Sequence, residues 1–118
     1  TMFISCDETN VHQNYKDIVV NAKDIDTKVT GRSTGHPVRG IRNQLTRKYL
    51  QMEAEGATLD ELEQLSLGSL RKAVLEGDKE MGSFMAGQIS GLIKEQVSVK
   101  TRIETVVEEA SKLLGKAF

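Results

Sequence analysis

The chain has 118 residues, of which 38% are apolar, 28% are charged and 4% are aromatic, and its formal net charge is −1. These values predict one soluble globular domain with an aliphatic core. They disfavour disorder and a nucleic-acid-binding domain, since such domains usually carry a clear basic excess. The single cysteine, Cys6, cannot form an internal disulfide. The lack of a possible internal disulfide, of a signal-peptide pattern and of a membrane-spanning pattern together predict a cytoplasmic protein.

The first forty residues mix strand and helix signals. The apolar stretch "TMFIS" predicts a buried strand over residues 1–5, with Cys6 as a small inert neighbour. A helical period predicts a helix over residues 13–23. The β-branched residues of 27–30, followed by glycines and the only proline, predict a strand–turn–strand or an extended passage. Because a buried strand normally enters from a loop, we expect this chain to be part of something larger.

From Ile41 onward the pattern is helical. A helix is predicted to run from Ile41 to a stop at Gly56, and Thr58 and Glu61 form the capping box of the next one. Gly77 ends a further short helix. The last segment has an apolar stripe opposed by charged residues, and this predicts a helix that covers a core. The stripe consists of Val99, Ile103, Val106, Val107, Ala110, Leu113 and Leu114.

The stretch "EMGSFMAGQISGLI" combines glycines with methionines. Ser83, Gly87 and Gly91 recur at a spacing of four residues, which predicts a helix that begins at Gly82 or Ser83 and has one stripe of small side chains. Two interpretations stay open. The stripe packs tightly against another backbone, or the helix start faces a cofactor or substrate with its free N–H groups.

The segment "GRSTGHPVRGIRNQLTRK" is basic and contains no acidic residue. It is either a surface that attracts phosphates or an acidic protein, or a solvated face neutralised by acids elsewhere. No metal site is expected, because His12, His36 and Cys6 lack ligand spacing.

Three stretches carry a resemblance to a known family: "TMFISCDETNVHQNYK", "KDIDTKVTGRSTGHPVRGIRNQLTRKYL" and "LEGDKEMGSFMAGQISGLI". The chain resembles the C-terminal part of the FMN-dependent enoyl-acyl-carrier-protein reductases and, more distantly, the nitronate monooxygenases. This implies an α+β, mostly helical fragment of an FMN-binding TIM-barrel enzyme. Residues 1–12 would end the last barrel strand, 13–78 would form a small substrate-side domain, and 79–118 would return to the barrel with a pocket helix and a closing amphipathic helix.

The resemblance also implies residue roles. Thr1 looks like the last residue of the family's Q-x-G-T segment at the flavin phosphate, and Gly82, Ser83, Met85 and Gln88 are expected near the flavin and the acyl pocket. The expected substrate- and carrier-binding residues are Arg32, His36, Arg39, Arg42, Arg47 and Lys48. The family's catalytic histidine and most flavin ligands would lie upstream of Thr1, so no catalytic residue is expected here.

The implied parent activity passes a hydride from NADH to FMN and then to an enoyl thioester on acyl carrier protein, and the chain alone is expected to be inactive and to bind no cofactor tightly. The alternatives are a nitronate monooxygenase and a non-enzymatic helical interaction module. The close match of "GRSTGHPVRGIRNQLTRKYL" favours the reductases over the nitronate monooxygenases.

Apolar stripes meant for the barrel, above all that of the last helix, are expected to be exposed in a monomer, so we predict a homo-oligomer. We expect no nucleic-acid or membrane partner.

Overall fold

The computed structural model describes residues 1–117, and its first residues form turns rather than a strand. The N–H of Ile4 donates to the carbonyl of Thr1 at 3.1 Å, and that of Cys6 to Phe3 at 3.2 Å. Cys6 is fully buried, and its strand-like pairing within residues 1–117 is limited to an isolated parallel bridge with Val97. The strand predicted over residues 1–5 is therefore wrong, because short-range turn hydrogen bonds take up the backbone groups that a sheet would use.

Helix α1 spans Gln13–Asn21 and ends two residues before the predicted boundary. The backbone becomes extended at Ala22, with ψ of 147°. At the other end, the side chain of His12 accepts the N–H of Asn14 at 3.0 Å and caps the helix. The buried face contains Tyr15 and Val19, as the helical period predicted.

The strand–turn–strand prediction is confirmed. Strands β1 (Thr27–Thr30) and β2 (Val38–Ile41) pair antiparallel, with Thr27 opposite Ile41 and Thr30 opposite Val38. The turn begins at Gly31, whose φ of +82° strongly favours glycine.

Helix α2 spans Gln44–Ala54 and starts later than predicted, because Ile41 belongs to β2. Asn43 is the N-cap: its side chain accepts the N–H of Thr46, and the Thr46 hydroxyl accepts the N–H of Asn43. The predicted stop at Gly56 is confirmed, with φ of +80° just beyond the helix.

Helix α3 spans Leu59–Ser66, and Thr58 caps it by accepting the N–H of Glu61 at 3.3 Å. The cap is confirmed, although within residues 1–117 the Glu61 side chain does not return the bond and the capping box is half formed. Helix α4 (Ser69–Arg71) continues as a π-helical turn over Lys72–Glu76. That turn ends at Gly77 as predicted.

The glycine-rich stretch 80–93 is not the predicted helix. The N–H of Gly82 donates to Asp78 and that of Ser83 to Ser69, both at 2.9 Å, so neither is free as at a helix start. Phe84 then accepts the N–H of Ile41 at 2.8 Å, and the chain runs beside β2 before a 3₁₀ helix over Gln88–Leu92. Pairing with β2 supplies the backbone partners that a helix would otherwise provide.

The core lies where α1, β2 and the stretch 80–93 meet. Phe84 is 2% exposed and meets the ring of Tyr15 edge-on, with centroids 4.9 Å apart. The Tyr15 hydroxyl donates to the carbonyl of Met85 at 2.7 Å. These contacts fasten the middle of the glycine-rich stretch to α1.

Helix α5 spans Val99–Leu114 as predicted and starts at the N-cap Ser98. None of its residues is buried, so the expectation that it covers a core is wrong within residues 1–117. Ile103 is 49% exposed and Val107 43% exposed, which agrees with the expectation that the stripe lacks its partner here. In the part of the chain that is described, no helix has the length and apolar character needed to cross a membrane.

Candidate functional site

A cavity of about 190 Å³ lies between the β1–β2 hairpin, α2, the start of α4 and the stretch around Ser83. Its apolar wall consists of Val38, Leu45, Leu70 and Met85. Its polar wall includes Thr30, His36, Tyr49, Ser66, Ser69 and Ser83. None of the lining residues is Asp, Glu, Lys or Arg, so the cavity has no ionised wall apart from any charge on His36.

Short backbone contacts position the far wall of the cavity. Gly40 of β2 forms an antiparallel bridge with Met85, and a methyl group at Gly40 would lie 2.9 Å from the carbonyl oxygen of Phe84. The hydroxyls of Ser69 and Ser83 are 2.6 Å apart, and the backbone N–H of Ser83 also donates to the carbonyl of Ser69. Glycine at position 40 therefore lets the two strands approach closely enough to hold Met85 at the cavity.

Asn43 is a residue that the sequence analysis missed. Besides capping α2, its side-chain NH₂ donates to the carbonyl of Gly82 at 2.7 Å and to that of Lys79 at 3.1 Å. It thus ties the start of α2 to the loop that leads to the cavity. An asparagine directly before an amphipathic helix is itself an N-cap signal, but the second role depends on the fold.

Three of the residues predicted to bind ligands meet in this cavity: His36, Ser83 and Met85. Arg39 lines an adjoining recess of about 40 Å³ together with Ser83 and Met85. Its guanidinium donates to the hydroxyl of Thr27 at 2.9 Å. The hairpin therefore brings two members of the predicted carrier-binding set close to two members of the predicted flavin set.

The other predicted flavin residues lie elsewhere. Gln88 lines an open groove of about 600 Å³ with Lys23 and Lys94. The Thr1 hydroxyl accepts the N–H of Gly87 at 2.8 Å. Gly82 is buried, and a methyl group there would lie 2.9 Å from the Cα of Ala73, so Gly82 serves close backbone packing. These residues do not share one cavity in residues 1–117.

The basic residues are also dispersed. Arg42 faces Asp26, with nitrogen and oxygen 3.7 Å apart, and Arg47 and Lys48 are exposed on α2. Of the predicted carrier-binding set, only His36 lines the main cavity. The acid that faces Arg42 comes from outside the basic segment, as the solvated-face interpretation requires.

Glu53 of α2 holds the hairpin turn. Its carboxylate accepts the N–H groups of Gly31 at 2.9 Å and Ser33 at 3.0 Å. Burial alone would raise the pKa of Glu53, but hydrogen bonds from Ser33 and Gly31 and the charge of Arg32 outweigh it and lower that pKa. The turn that borders the cavity is therefore fixed to α2 by an ionised carboxylate.

The described residues do not bring the predicted flavin residues together into one site for FMN. A flavin phosphate needs free backbone N–H groups or cationic side chains. The N–H of Ser83 already donates to Ser69 and that of Gly87 to Thr1. The cationic side chains of Lys23 and Lys94 lie with Gln88 in a groove separate from the cavity of Ser83 and Met85. Nor does any group of three His, Cys, Asp or Glu side chains within residues 1–117 have the arrangement of a metal site.

Comparisons with known proteins identify the family. The profile of the family described as "Nitronate monooxygenase" matches residues 1–109. The chain belongs to this family. Family members are flavin-dependent oxidoreductases that use FMN. The chain is 29% identical over 98% of its length to a probable nitronate monooxygenase of Staphylococcus saprophyticus, and 29% identical over 94% to one of Bacillus subtilis.

Solved structures of FabK from Thermotoga maritima are also similar. One matches 96% of this chain at 44% identity with a TM-score of 0.85, and a methionine-to-alanine variant matches at 40% identity with a TM-score of 0.76. The chain covers 32% of each of the two curated relatives and 37% of the first FabK chain. It thus spans about a third of the length of the proteins that it matches.

Proposed function

We propose that this chain is the substrate-side part of an FMN- and NADH-dependent enoyl-acyl-carrier-protein reductase. The observation that carries the proposal is the 44% identity to FabK over 96% of the chain, against 29% to the nitronate monooxygenases of S. saprophyticus and B. subtilis. FabK represents here the enoyl reductases that the sequence resembles. The catalytic histidine and most flavin contacts are then supplied by the preceding barrel.

In this proposal the chain contributes the wall against which the substrate lies. His36, Ser83 and Met85 line the cavity. We assign Thr1 and Gln88 to the side that meets the barrel, whereas Gly82 packs within the chain. FMN, when bound by the barrel, supplies the hydride transfer. The residues of this chain bind and orient the substrate.

A chimera tests the proposal. Residues 1–118 replace the matching third of FabK from Thermotoga maritima, and retention of yellow FMN shows that the hybrid has folded. We expect NADH oxidation that depends on an enoyl thioester, whereas the chain alone should neither hold FMN tightly nor oxidise NADH. A folded, yellow chimera without enoyl-dependent turnover, or a yellow and active isolated chain, would contradict the proposal.

The second candidate is nitronate oxidation, which the family profile over residues 1–109 favours. Measuring the oxygen consumption of the same chimera with a nitronate distinguishes this activity from enoyl reduction. We expect no nitronate-dependent oxygen uptake above that of unmodified FabK. If nitronate-dependent oxygen uptake exceeded the rate of enoyl-dependent NADH oxidation, nitronate oxidation would be the better assignment.

Docking of an acidic acyl carrier protein is proposed for the exposed arginines of α2 and its approach. Changing Arg42 and Arg47 to Ala in the chimera should raise the KM for a carrier-linked substrate more than for its coenzyme A analogue, and should flatten the salt dependence, since exposed charges steer partners over about 10 Å at 0.1 M salt. Lys100→Ala on α5 is the control, because Lys100 is also exposed but lies outside the basic segment. Equal changes in KM for both substrates would mean that the two arginines stabilise the fold rather than bind the carrier protein.

A further inference from the structure

Helix α1 is capped by an imidazole ring. Nδ1 of His12 accepts the N–H of Asn14 at 3.0 Å, and the His12 backbone, with φ of −55° and ψ of 142°, lies outside the helical region as an N-cap requires. Because the backbone N–H is the donor, Nδ1 carries no proton, and the neutral ring holds its proton on Nε2. The cap therefore exists only while the imidazole is uncharged.

His12 also joins α1 to the end of the π-helical turn. Its backbone N–H donates to the carbonyl of Val74 at 2.7 Å. A methyl group at Gly77 would overlap the imidazole ring, so the ring lies directly against that glycine. The side chain of Asn14 donates to the carbonyl of Gly77 at 2.9 Å. The same ring thus orders the first turn of α1 and packs on the glycine that ends the π-helical turn.

The first turn of α1 is connected to the cavity through Tyr15. The N–H of Tyr15 donates to the carbonyl of His12 at 2.9 Å, and its hydroxyl donates to the carbonyl of Met85 at 2.7 Å. Met85 lines the cavity, and the ring of Tyr15 packs edge-on against Phe84 beside it. A displacement of the first turn of α1 would therefore move the backbone that carries Met85.

No carboxylate holds His12 in its charged form, since His12 takes part in no ion pair within residues 1–117. Glu8 accepts the N–H of Val99, and Asp78 accepts that of Met81, so these two carboxylates have other partners. Although acidic side chains outnumber lysines on the segments that meet at His12, charges that are not in contact with the ring are screened by solvent and salt. The charged residues of these segments are Asp7, Glu8, Lys16, Asp17, Lys72, Glu76 and Asp78.

Protonation would turn the cap into an unfavourable contact. An imidazolium has an N–H on both ring nitrogens, so Nδ1 of His12 could no longer accept the N–H of Asn14 and would instead point a donor at a donor. The positive charge would also lie at the N-terminus of α1, where the helix dipole disfavours cations. Both effects act against the folded first turn of the helix.

We infer that His12 is a proton-sensitive cap, which holds α1 and the Met85 side of the cavity in place when neutral and releases them when protonated. The unfolded chain takes up this proton freely, whereas the folded chain must lose the cap to do so. The folded state is therefore stabilised as the pH rises and destabilised as it falls. The change lies in the range where imidazole titrates, about pH 5 to 8. The inference goes beyond the proposed function and does not depend on it.

NMR of the ¹⁵N-labelled chain tests the protonation state directly. At about pH 8 the ring signals of His12 should show Nδ1 without a proton and Nε2 with one. As the pH is lowered to about 5, the ring should titrate, and the amide signals of Asn14 and Met85 should shift with the same midpoint. A proton on Nδ1 at about pH 8, or a titration of His12 that leaves these two amide signals unshifted, would overturn the inference.

A carboxylate cap should remove the proton dependence. Asp is among the best N-cap residues and stays ionised in this pH range, so His12→Asp should keep α1 capped throughout. Between about pH 8 and about 5, the unfolding equilibrium constant measured in urea should rise roughly fivefold more for the unmodified chain than for His12→Asp.

His36→Asn is the matched control, because His36 is the other histidine of the chain and is exposed. Its pH dependence should equal that of the unmodified chain. The same pH dependence in His12→Asp as in the unmodified chain, or its loss in His36→Asn, would overturn the inference. If His12→Asp does not fold, the ring signals of the unmodified chain decide the question.

The outcomes for this inference and for the proposed function are independent. A chimera that holds FMN but does not reduce enoyl thioesters, together with a His12 that titrates as described, would contradict the proposed function alone. An active chimera, together with a chain whose His12 has its proton on Nδ1, would contradict the inference alone.

Discussion

Two amphipathic regions of this chain have opposite outcomes. Helix α1 places Tyr15 at 4% and Val19 at 0% exposure, whereas on α5 Ile103 is 49% and Val106 40% exposed. Both helices have an apolar stripe with the helical period. The difference is that α1 meets Phe84 and its neighbours, while nothing within residues 1–117 covers α5. An apolar stripe therefore predicts a partner for a helix but not where that partner is found.

The largest expected effect comes from the centre of the covered region. Phe84→Ala removes a 2% exposed ring and its edge contact with Tyr15, and should cost about 3–5 kcal/mol of unfolding free energy. Ile103→Ala on α5 should change it by no more than about 0.5 kcal/mol. Urea unfolding followed by circular dichroism measures both. Similar losses would mean that α5 is covered in solution.

A smaller effect is expected where backbones approach closely. A methyl group at Gly82 would lie 2.6 Å from the carbonyl oxygen of Asp78 and 2.9 Å from the Cα of Ala73. Gly82→Ala should therefore cost about 1–3 kcal/mol. Gly87→Ala is the control, since Gly87 has φ of −87° and its nearest neighbour would be 3.5 Å away. Equal stability of both variants would contradict the packing of Gly82 against the π-helical turn that follows α4.

The uncovered helix should make the chain self-associate. Exposed contiguous apolar surface favours association, so light scattering of the isolated chain should give a mass above 13.0 kDa that rises with concentration. Val107→Glu should raise the concentration needed for association about tenfold or more. Leu67→Glu, at a 73% exposed leucine away from α5, should not. A compact monomer at high concentration would argue against association through this face.

The smallest expected effect concerns the hairpin turn. Because the pKa of Glu53 is lowered in the folded chain, its contribution is fully present above the unfolded pKa, near 4.5, and is lost as the pH falls through the lower folded value. Glu53→Gln should cost under about 1 kcal/mol at pH 7, since solvent screens this largely accessible group. The variant should also lose part of the acid sensitivity below pH 4.5. Unfolding measured between pH 2 and 7 tests this, with Glu55→Gln as control; an unchanged pH profile would contradict it.

Local sequence signals predicted much of the secondary structure. The cap at Thr58, the stops at Gly56 and Gly77 and the hairpin between residues 27 and 41 are set by side-chain capping and glycine backbone freedom, which act within a few residues. The errors lie where distant residues compete for the same backbone groups. Ile41 fits a helical period but its N–H donates to Phe84. Residues 80–93 have small side chains at helical spacing, but residues 84–86 lie along β2 instead.

The candidate site divides in the same way. His36, Ser83 and Met85 were named from the resemblance, and the fold brings them to one cavity. No local signal marks Tyr49 or Ser69 as a cavity residue, since neither lies in the glycine-rich stretch. They come near Ser83 through the packing of α2 and α4. Asn43 was missed for the same reason, since its bond to Gly82 spans 39 residues.

The sequence by itself determined the family, the helical and hairpin segments and the amphipathic character of α5, because each depends on residue identity and short-range spacing. Only the tertiary structure decided that part of the glycine-rich stretch runs beside β2, that the cavity wall contains no Asp, Glu, Lys or Arg, and that α5 lies uncovered within residues 1–117. These features depend on which backbone groups and side chains meet across long separations in the chain. Such meetings are decided by the packing of the whole rather than by local propensity.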